Sequence, residues 1–309
     1  MDLVDEIRMA CAAVAGRARF VAIDEERISS YVRTLPSAPR PGDDLSAGDD
    51  LSAGGSLEER AAFVCALDAI NFGSGWFPTL RKRPGRSGYF TVAMGLRHRF
   101  AEGGPWSAEE LAQVEASQVA AWIGQDPDHE LMALFATALR ELGERVAAEH
   151  DGRFLALARS ETSAAALVQR MATWPTWGDA SRHDGELVPF FKRAQILAAD
   201  LVRAGVADFP DLHRLTLFAD NLVPHVLRLD GILRFDATLV ERIEREEPLE
   251  HGSPEEVEIR ACALHAVELL AAASPGGTSP CQLDLVLWAR GQQPHYKASP
   301  RHRSRCTAY

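Results

Sequence analysis

The sequence predicts a mostly α-helical protein with at most a small accessory sheet. Three observations point there: apolar residues recur at helical spacing in segment after segment, helix-start signals stand before several of these segments, and strand-like alternation is scarce. The first segment covers residues 2–16, where Leu3, Val4, Ile7, Met9, Ala10 and Val14 mark an amphipathic helix. Residues 35–56 hold Pro36, Pro39, Pro41 and a doubled DDLSAG unit at Asp43 and Asp49; they are too poor in apolar side chains to pack and are expected to form a mobile loop. Helical spacing resumes from Leu57 to about Asn71. The glycines and prolines of the following GSGWFPTLRKRPGRSG stretch deny it helix or strand, and it reads either as a binding loop or as a surface excursion. Residues 107–172 read as three helices, broken near Asp126–Asp128 and at Asp151-Gly152. Later helices are expected at about 190–204, 211–227, 237–245 and 254–272, the last with Ser253 as N-cap, Pro254 in the first turn and Glu256 completing a capping box.

A chain of 309 residues with 46% hydrophobic content has material for a sizeable core, and a single domain over 1–309 is expected. The net charge of −11 and an isoelectric point near 5.4 speak against holding long nucleic acid through many phosphate contacts and suit a small-molecule ligand better. Cys11, Cys65, Cys262, Cys281 and Cys306 are odd in number, widely spaced and without a C-x-x-C pair, so they read as reduced. The opening residues are acidic where a secretory signal needs bases, and no stretch reaches the roughly 18 apolar residues of a membrane span; a cytoplasmic location away from membranes is expected. The oligomeric state is left open.

Phosphate-loop, dinucleotide-fingerprint, H-E-x-x-H and G-x-S-x-G motifs are all missing, which leaves the common enzyme classes unsupported. Cys262 and His265 share a helical face, but nothing nominates further ligands, so they read as core and neither metal nor cofactor is expected.

Several residues stand out chemically. Lys192 and Arg193 open a helix whose free N–H groups favour an anion, so they either hold a phosphate or snorkel to solvent. Asp220 follows the apolar run Leu215, Leu217 and Phe218, and is read either as a carboxylate that works on a developing cation or as a helix cap near Pro224. Asp284, in another apolar stretch, either accepts hydrogen bonds from a guanine-like edge or is structural. Asn71, Phe72 and Trp76 offer an amide and stacking rings, or core. The basic tail HYKASPRHRSRCTAY, with His302 and Tyr309, either binds an anion or is a loose end.

The pieces FVAID from Phe20, LDAINF from Leu67, SGYF from Ser87, FKRAQIL from Phe191, LTLFAD from Leu215, EEVEIRACALHAVE from Glu255, LDLVLW from Leu283 and the closing HRSRCTAY run in order through most of the chain. Together they resemble the queuosine salvage protein family, the queuosine nucleotide N-glycosylases. The resemblance implies a helical fold similar to helix-hairpin-helix DNA glycosylases and hydrolysis of queuosine 5′-monophosphate to queuine and ribose 5-phosphate, in queuine salvage for tRNA modification. It places Asp220 as nucleophile or transition-state stabiliser and Lys192 beside phosphate and sugar. It carries Phe218 and Asp284 to the base; in the mechanism expected from the residues themselves, the base stacks on Phe72 or Phe218 with Asn71 offering its amide, and the phosphate rests near Lys192, Arg193 and the basic tail with His302 and Tyr309. The sequence departs from animal members at Ala289, where an acid is expected, and near Ser29, where a histidine is expected; both positions bear on how the cyclopentenediol arm and the outer base edge are held. The competing readings are a non-catalytic queuosine-binding protein and a DNA base glycosylase, the latter opposed by the net charge.

Overall fold

The structure, a computed structural model, describes residues 2–36, 55–274 and 276–309. Most of the loop expected at 35–56, including both DDLSAG units, lies outside the described residues. In chain order the elements are α1 (Leu3–Ala15), β1 (Val21–Ile23), α2 (Glu25–Val32), α3 (Leu57–Ala69) and α4 (Gly88–Gly103). Then come α5 (Ala108–Ala112), α6 (Ala116–Ile123), α7 (Glu130–Glu149), α8 (Phe154–Ala158) and α9 (Ala164–Met171). A hairpin of β2 (Ala180–His183) and β3 (Glu186–Pro189) leads to α10 (Lys192–Arg203), α11 (Leu222–Leu229), β4 (Leu233–Phe235) and α12 (Ala237–Glu244). The described chain closes with α13 (Pro254–Ala273), α14 (Pro280–Arg290) and α15 (Pro294–Ala298). The protein is therefore mostly α, as its periodicity predicts.

Side-chain caps set many of the helix starts. Ser56 and Glu59 form a capping box on α3, Ser107 and Glu110 do so on α5, and Ser87 caps α4. The box expected at Ser253 is half built: Ser253 accepts from the Glu256 amide, but the Glu256 carboxylate reaches back to the Gly252 amide instead, at 3.0 Å. The three helices expected between 107 and 172 are five. The predicted breaks are present, and two more fall at Gln113–Glu115 and between Arg159 and Ser163, where local turns interrupt otherwise periodic sequence.

Two small antiparallel sheets complete the fold. β1 pairs with β4 in the register Val21↔Phe235 to Ile23↔Leu233, tying the start of the chain to its last third. β2 and β3 turn through Asp184 and Gly185, both at positive φ (51° and 87°), the geometry that a two-residue Asp-Gly hairpin requires.

α13 runs through the centre, packed against α1, α2, α11 and α14. It buries not only Val257, Leu264 and Val267 but also the charged Glu256, Glu258 and Arg260. α7 lies against α5 at a close approach that Gly143 permits, because a Cβ there would enter the backbone of Ala108 and Ala112. Gly143→Val is expected to cost about 1–3 kcal/mol, the usual penalty of overpacking, read as a lower midpoint in denaturant unfolding.

Candidate functional site

A cavity of about 380 Å³ opens where the 73–87 loop, α10, the 218–222 segment, α14 and the C-terminal tail converge. Its wall carries Asn71, Phe72, Lys192, Phe218, Asp220, Asp284 and Tyr309, all singled out in the sequence. The only three lysines of the chain, Lys82, Lys192 and Lys297, all line it, joined by Arg86, Arg203, Arg301 and Arg303. A protein of net charge −11 has thus gathered cations around one hollow, which suits an anionic ligand.

The helix expected over 211–227 is the largest local correction. A single 3₁₀ turn at Leu212–Arg214 is followed by residues without regular structure, and α11 begins only at Leu222. Leu215–Ala219 are all buried, and Gln195 of α10 fixes the stretch by accepting the Thr216 amide at 2.9 Å. Asp220 then sits at the mouth of α11, where its Oδ1 accepts the Leu222 and Val223 amides at 2.7 and 3.2 Å. It therefore caps the helix and lines the cavity at once; the two readings of Asp220 are not exclusive. Among the described residues its Oδ2 takes no hydrogen bond.

Lys192 is the first residue of α10 and is buried, so it does not snorkel. Its Nζ donates to the Asn71 carbonyl at 2.8 Å and to Asn71 Oδ1 at 3.1 Å. The residue before it, Phe191, holds a left-handed backbone (φ 47°), a conformation that costs a non-glycine residue on the order of 1 kcal/mol and persists only when its surroundings impose it. Asp179 imposes it: its carbonyl accepts the Phe190 and Phe191 amides, and its Oδ2 accepts the Lys192 amide at 2.9 Å. The same Oδ2 pairs with Arg260 of α13 at 2.8 Å, while Arg260 Nε donates to the Ala219 carbonyl at 3.0 Å. One buried ion pair thus holds the backbone beside both Lys192 and Asp220.

Asp284 of α14 is buried and its Oδ1 accepts the Phe218 amide at 3.2 Å. Burial, then the neighbouring Asp220 charge, pushes the Asp284 carboxyl well above the usual carboxylate range, with the Phe218 amide and Lys192 acting the other way. Burial lowers the Lys192 ammonium, and the carboxylates of Asp220, Asp68 and Asp284 resist that shift. Asp220, Lys192 and Asp284 are therefore mutually coupled across the cavity. Trp288 and Tyr89 stand edge to face at 5.9 Å and give the wall a flat aromatic flank.

The tail is built in rather than loose. Arg303 O accepts the Leu249 amide at 2.8 Å, Tyr309 O accepts the Gly73 amide at 2.9 Å, and the Tyr309 ring lies under the Arg260 guanidinium at 4.6 Å. Gly75 lets the tail pass, since a Cβ there would meet the backbone of Ser304. The 73–87 loop likewise lines the cavity, bringing Ser74, Phe77, Lys82 and Arg86 to its wall.

Three of the expected site residues lie away from the wall. Ser29 is exposed on α2. Arg193 points into the protein, donating to the carbonyls of Ala69 and Thr176 between the rings of Phe72 and Trp177, so it braces the site instead of meeting a phosphate. His302 is buried behind the wall, where desolvation drives its imidazole down to about 3, and its carbonyl accepts from Asn221 Nδ2 at 3.3 Å. The Trp76 indole N–H donates to Glu130 Oε2 at 2.8 Å, and Trp76 does not line the cavity. Tyr89, Trp288 and Asp200 line the cavity without having stood out individually in the sequence, whereas Lys297 arrives with the basic tail and Lys82 with the 73–87 loop. Among the described residues no three His, Cys, Asp or Glu side chains are placed to hold a metal, and Cys262 packs in the core with its Sγ toward the Val21 carbonyl at 3.7 Å. No helix of the described residues is long and apolar enough to cross a membrane.

Comparison with known proteins places the chain in a family. The model of the queuosine salvage protein family matches residues 52–309, a stretch that contains every cavity-lining residue described above. A protein of Sphaerobacter thermophilus named queuosine 5′-phosphate N-glycosylase/hydrolase is 38% identical over 265 residues, 82% of each chain. Proteins of the same name from Bos taurus and Mus musculus are 31% and 32% identical over 245 and 244 residues, 72% of each chain in both cases. A match of that extent, reaching from the α3 region to the tail, shows that the chain belongs to the queuosine salvage protein family.

Proposed function

We propose that this protein is an N-glycosylase that hydrolyses queuosine 5′-monophosphate to queuine and ribose 5-phosphate, a single-domain cytoplasmic enzyme returning queuine for tRNA modification. The observation that carries the reading is the convergence of Asp220, Lys192 and Asp284, from three separate elements, on one cation-rimmed cavity. The shared name of the relatives supplies the substrate.

In this reading the base lies against Phe218 and the flank of Trp288 and Tyr89, with Asp284 at its polar edge. The phosphate is drawn to the cations of the rim, Arg301 and Arg303 among them. As the bond between the anomeric carbon and the base nitrogen stretches, its electron pair leaves with the base and positive charge grows on the sugar. Asp220 stabilises that charge, and Lys192 steadies the sugar and phosphate side. One water completes the reaction: its oxygen bonds to the anomeric carbon, one proton ends on the base nitrogen, and the other stays in the new sugar hydroxyl. With a net charge of −11 and its cations gathered around one cavity, the protein suits a free nucleotide better than DNA.

The test is chromatographic detection of free base after incubating the purified protein with queuosine 5′-monophosphate, and separately with queuosine. Queuine and ribose 5-phosphate in equal amounts are the expected products. Tight nucleotide binding without any release would instead make the protein a carrier.

A further inference from the structure

The proposed chemistry needs a charged ammonium at Lys192, in a position where burial opposes the charge. Asn71 supplies both of its described hydrogen-bond acceptors. An amide side chain can turn either its oxygen or its NH₂ group toward a neighbour, and only the oxygen attracts an ammonium. Asp68, on the last turn of α3, decides the orientation: its Oδ1 accepts from Asn71 Nδ2 at 3.3 Å, which leaves the amide oxygen for Lys192. Asp68 is fully buried between Leu67 and Ala69, and its Oδ2 is buried without a hydrogen-bond partner among the described residues. A carboxylate so placed costs stability that packing does not return, and no ion pair among the described residues accounts for it.

We propose that Asp68 is a positioning residue for Lys192: its Oδ1 takes the Asn71 NH₂ group and so turns the Asn71 amide oxygen toward the ammonium. The proposal rests on the reading of Lys192 as a working group of the reaction above. The charged groups that bear on Lys192 are Asp220, Arg193, Asp68 and Asp284. Burial, then the neighbouring Asp200 charge, pushes the Asp68 carboxyl well above the usual carboxylate range, while the Asn71 hydrogen bond, Lys192 and Arg203 act the other way; Asp200 is itself paired with Arg203 at 3.0 Å. The Asn71 oxygen so oriented, and Asp68 itself when ionised, raise the affinity of Lys192 for its proton, so losing Asp68 moves the lysine titration to lower pH.

Because the sequence holds three lysines, carbon-labelled lysine gives an NMR spectrum with three side-chain signals, and Lys192→Met identifies one of them. In Asp68→Asn the Lys192 midpoint is expected to fall by about one unit or more. kcat is expected to fall about 10- to 100-fold, the range seen when a group that orients a working side chain is lost, with KM nearly unchanged. The alkaline limb of the kcat profile moves to lower pH with the lysine. In a Lys192→Met background Asp68→Asn should add no further loss, since residues acting through one another are not additive. An unchanged Lys192 midpoint, or rate losses that multiply independently, would overturn the proposal. Asp68→Ala, which removes the acceptor without adding bulk, carries the same expectations if Asp68→Asn folds poorly. A wild type that released no base would sink the reaction assignment, while the NMR midpoint would still decide whether Asp68 sets the charge of Lys192.

Discussion

Asp220→Asn is expected to lower the turnover of queuosine 5′-monophosphate by a factor on the order of 10²–10³, the range found when one electrostatic element aimed at a developing charge is removed. The substitution is chosen for what it keeps. An asparagine oxygen can still accept the Leu222 and Val223 amides, so the start of α11 stays capped and the melting temperature should hold within a degree or two. What disappears is the negative charge facing Lys192, Asp284 and Arg301. Asp220→Ala should lose the same activity and, in addition, about 1 kcal/mol of stability through the missing cap. Steady-state rates beside calorimetric melts separate the two contributions. If Asp220→Asn kept more than a tenth of wild-type turnover, Asp220 would be a helix cap that happens to line a cavity.

Removal of residues 301–309 is expected to abolish base release and to lower the melting temperature by at least about 5 °C. The stretch contributes Arg301, Arg303 and Tyr309 to the cavity wall, so its loss opens the site to water and strips cations from the rim. It also buries Cys306, Ala308 and Tyr309, and a buried large side chain contributes about 1.5–3 kcal/mol relative to exposure. For a chain of this size each kcal/mol moves the melting temperature by roughly 2–4 °C. Differential scanning calorimetry and the base-release assay read the two effects; a truncated protein that still released base at the wild-type rate would show the tail to be a cover and nothing more.

Much of this fold is legible in the sequence because helices announce themselves twice, by period and by cap. α1, α3, α12 and α13 begin and end within about two residues of their expected bounds. The stretch Leu215–Ala219 misleads for a physical reason: a segment buried on every side needs no alternation, so an apolar run reads equally well as helix or as extended chain. The β2–β3 hairpin did leave a signal in Asp184-Gly185, which the dominance of helical segments obscured. Of the site, Asp220, Lys192 and Asp284 stand out because charge inside apolar sequence is conspicuous. Arg193 stands out for the same reason yet serves the interior, because sequence cannot tell a cation facing a ligand from one facing carbonyls. Asp179 and Arg260 passed unnoticed for the opposite reason: in a charged helix start or a loop they look like ordinary surface residues, and only the fold reveals that they meet.

That meeting has a consequence for how the enzyme fails. Asp179 and Arg260 fasten the chain beside Lys192 and beside Asp220 through a single buried contact, although the two working groups lie on different segments. A substitution that breaks this pair leaves a buried charge unmatched and loosens the supports of both segments together. Damage at Asp179 or Arg260 is therefore expected to disturb the cation and the carboxylate of the site at once, although neither residue lines the cavity.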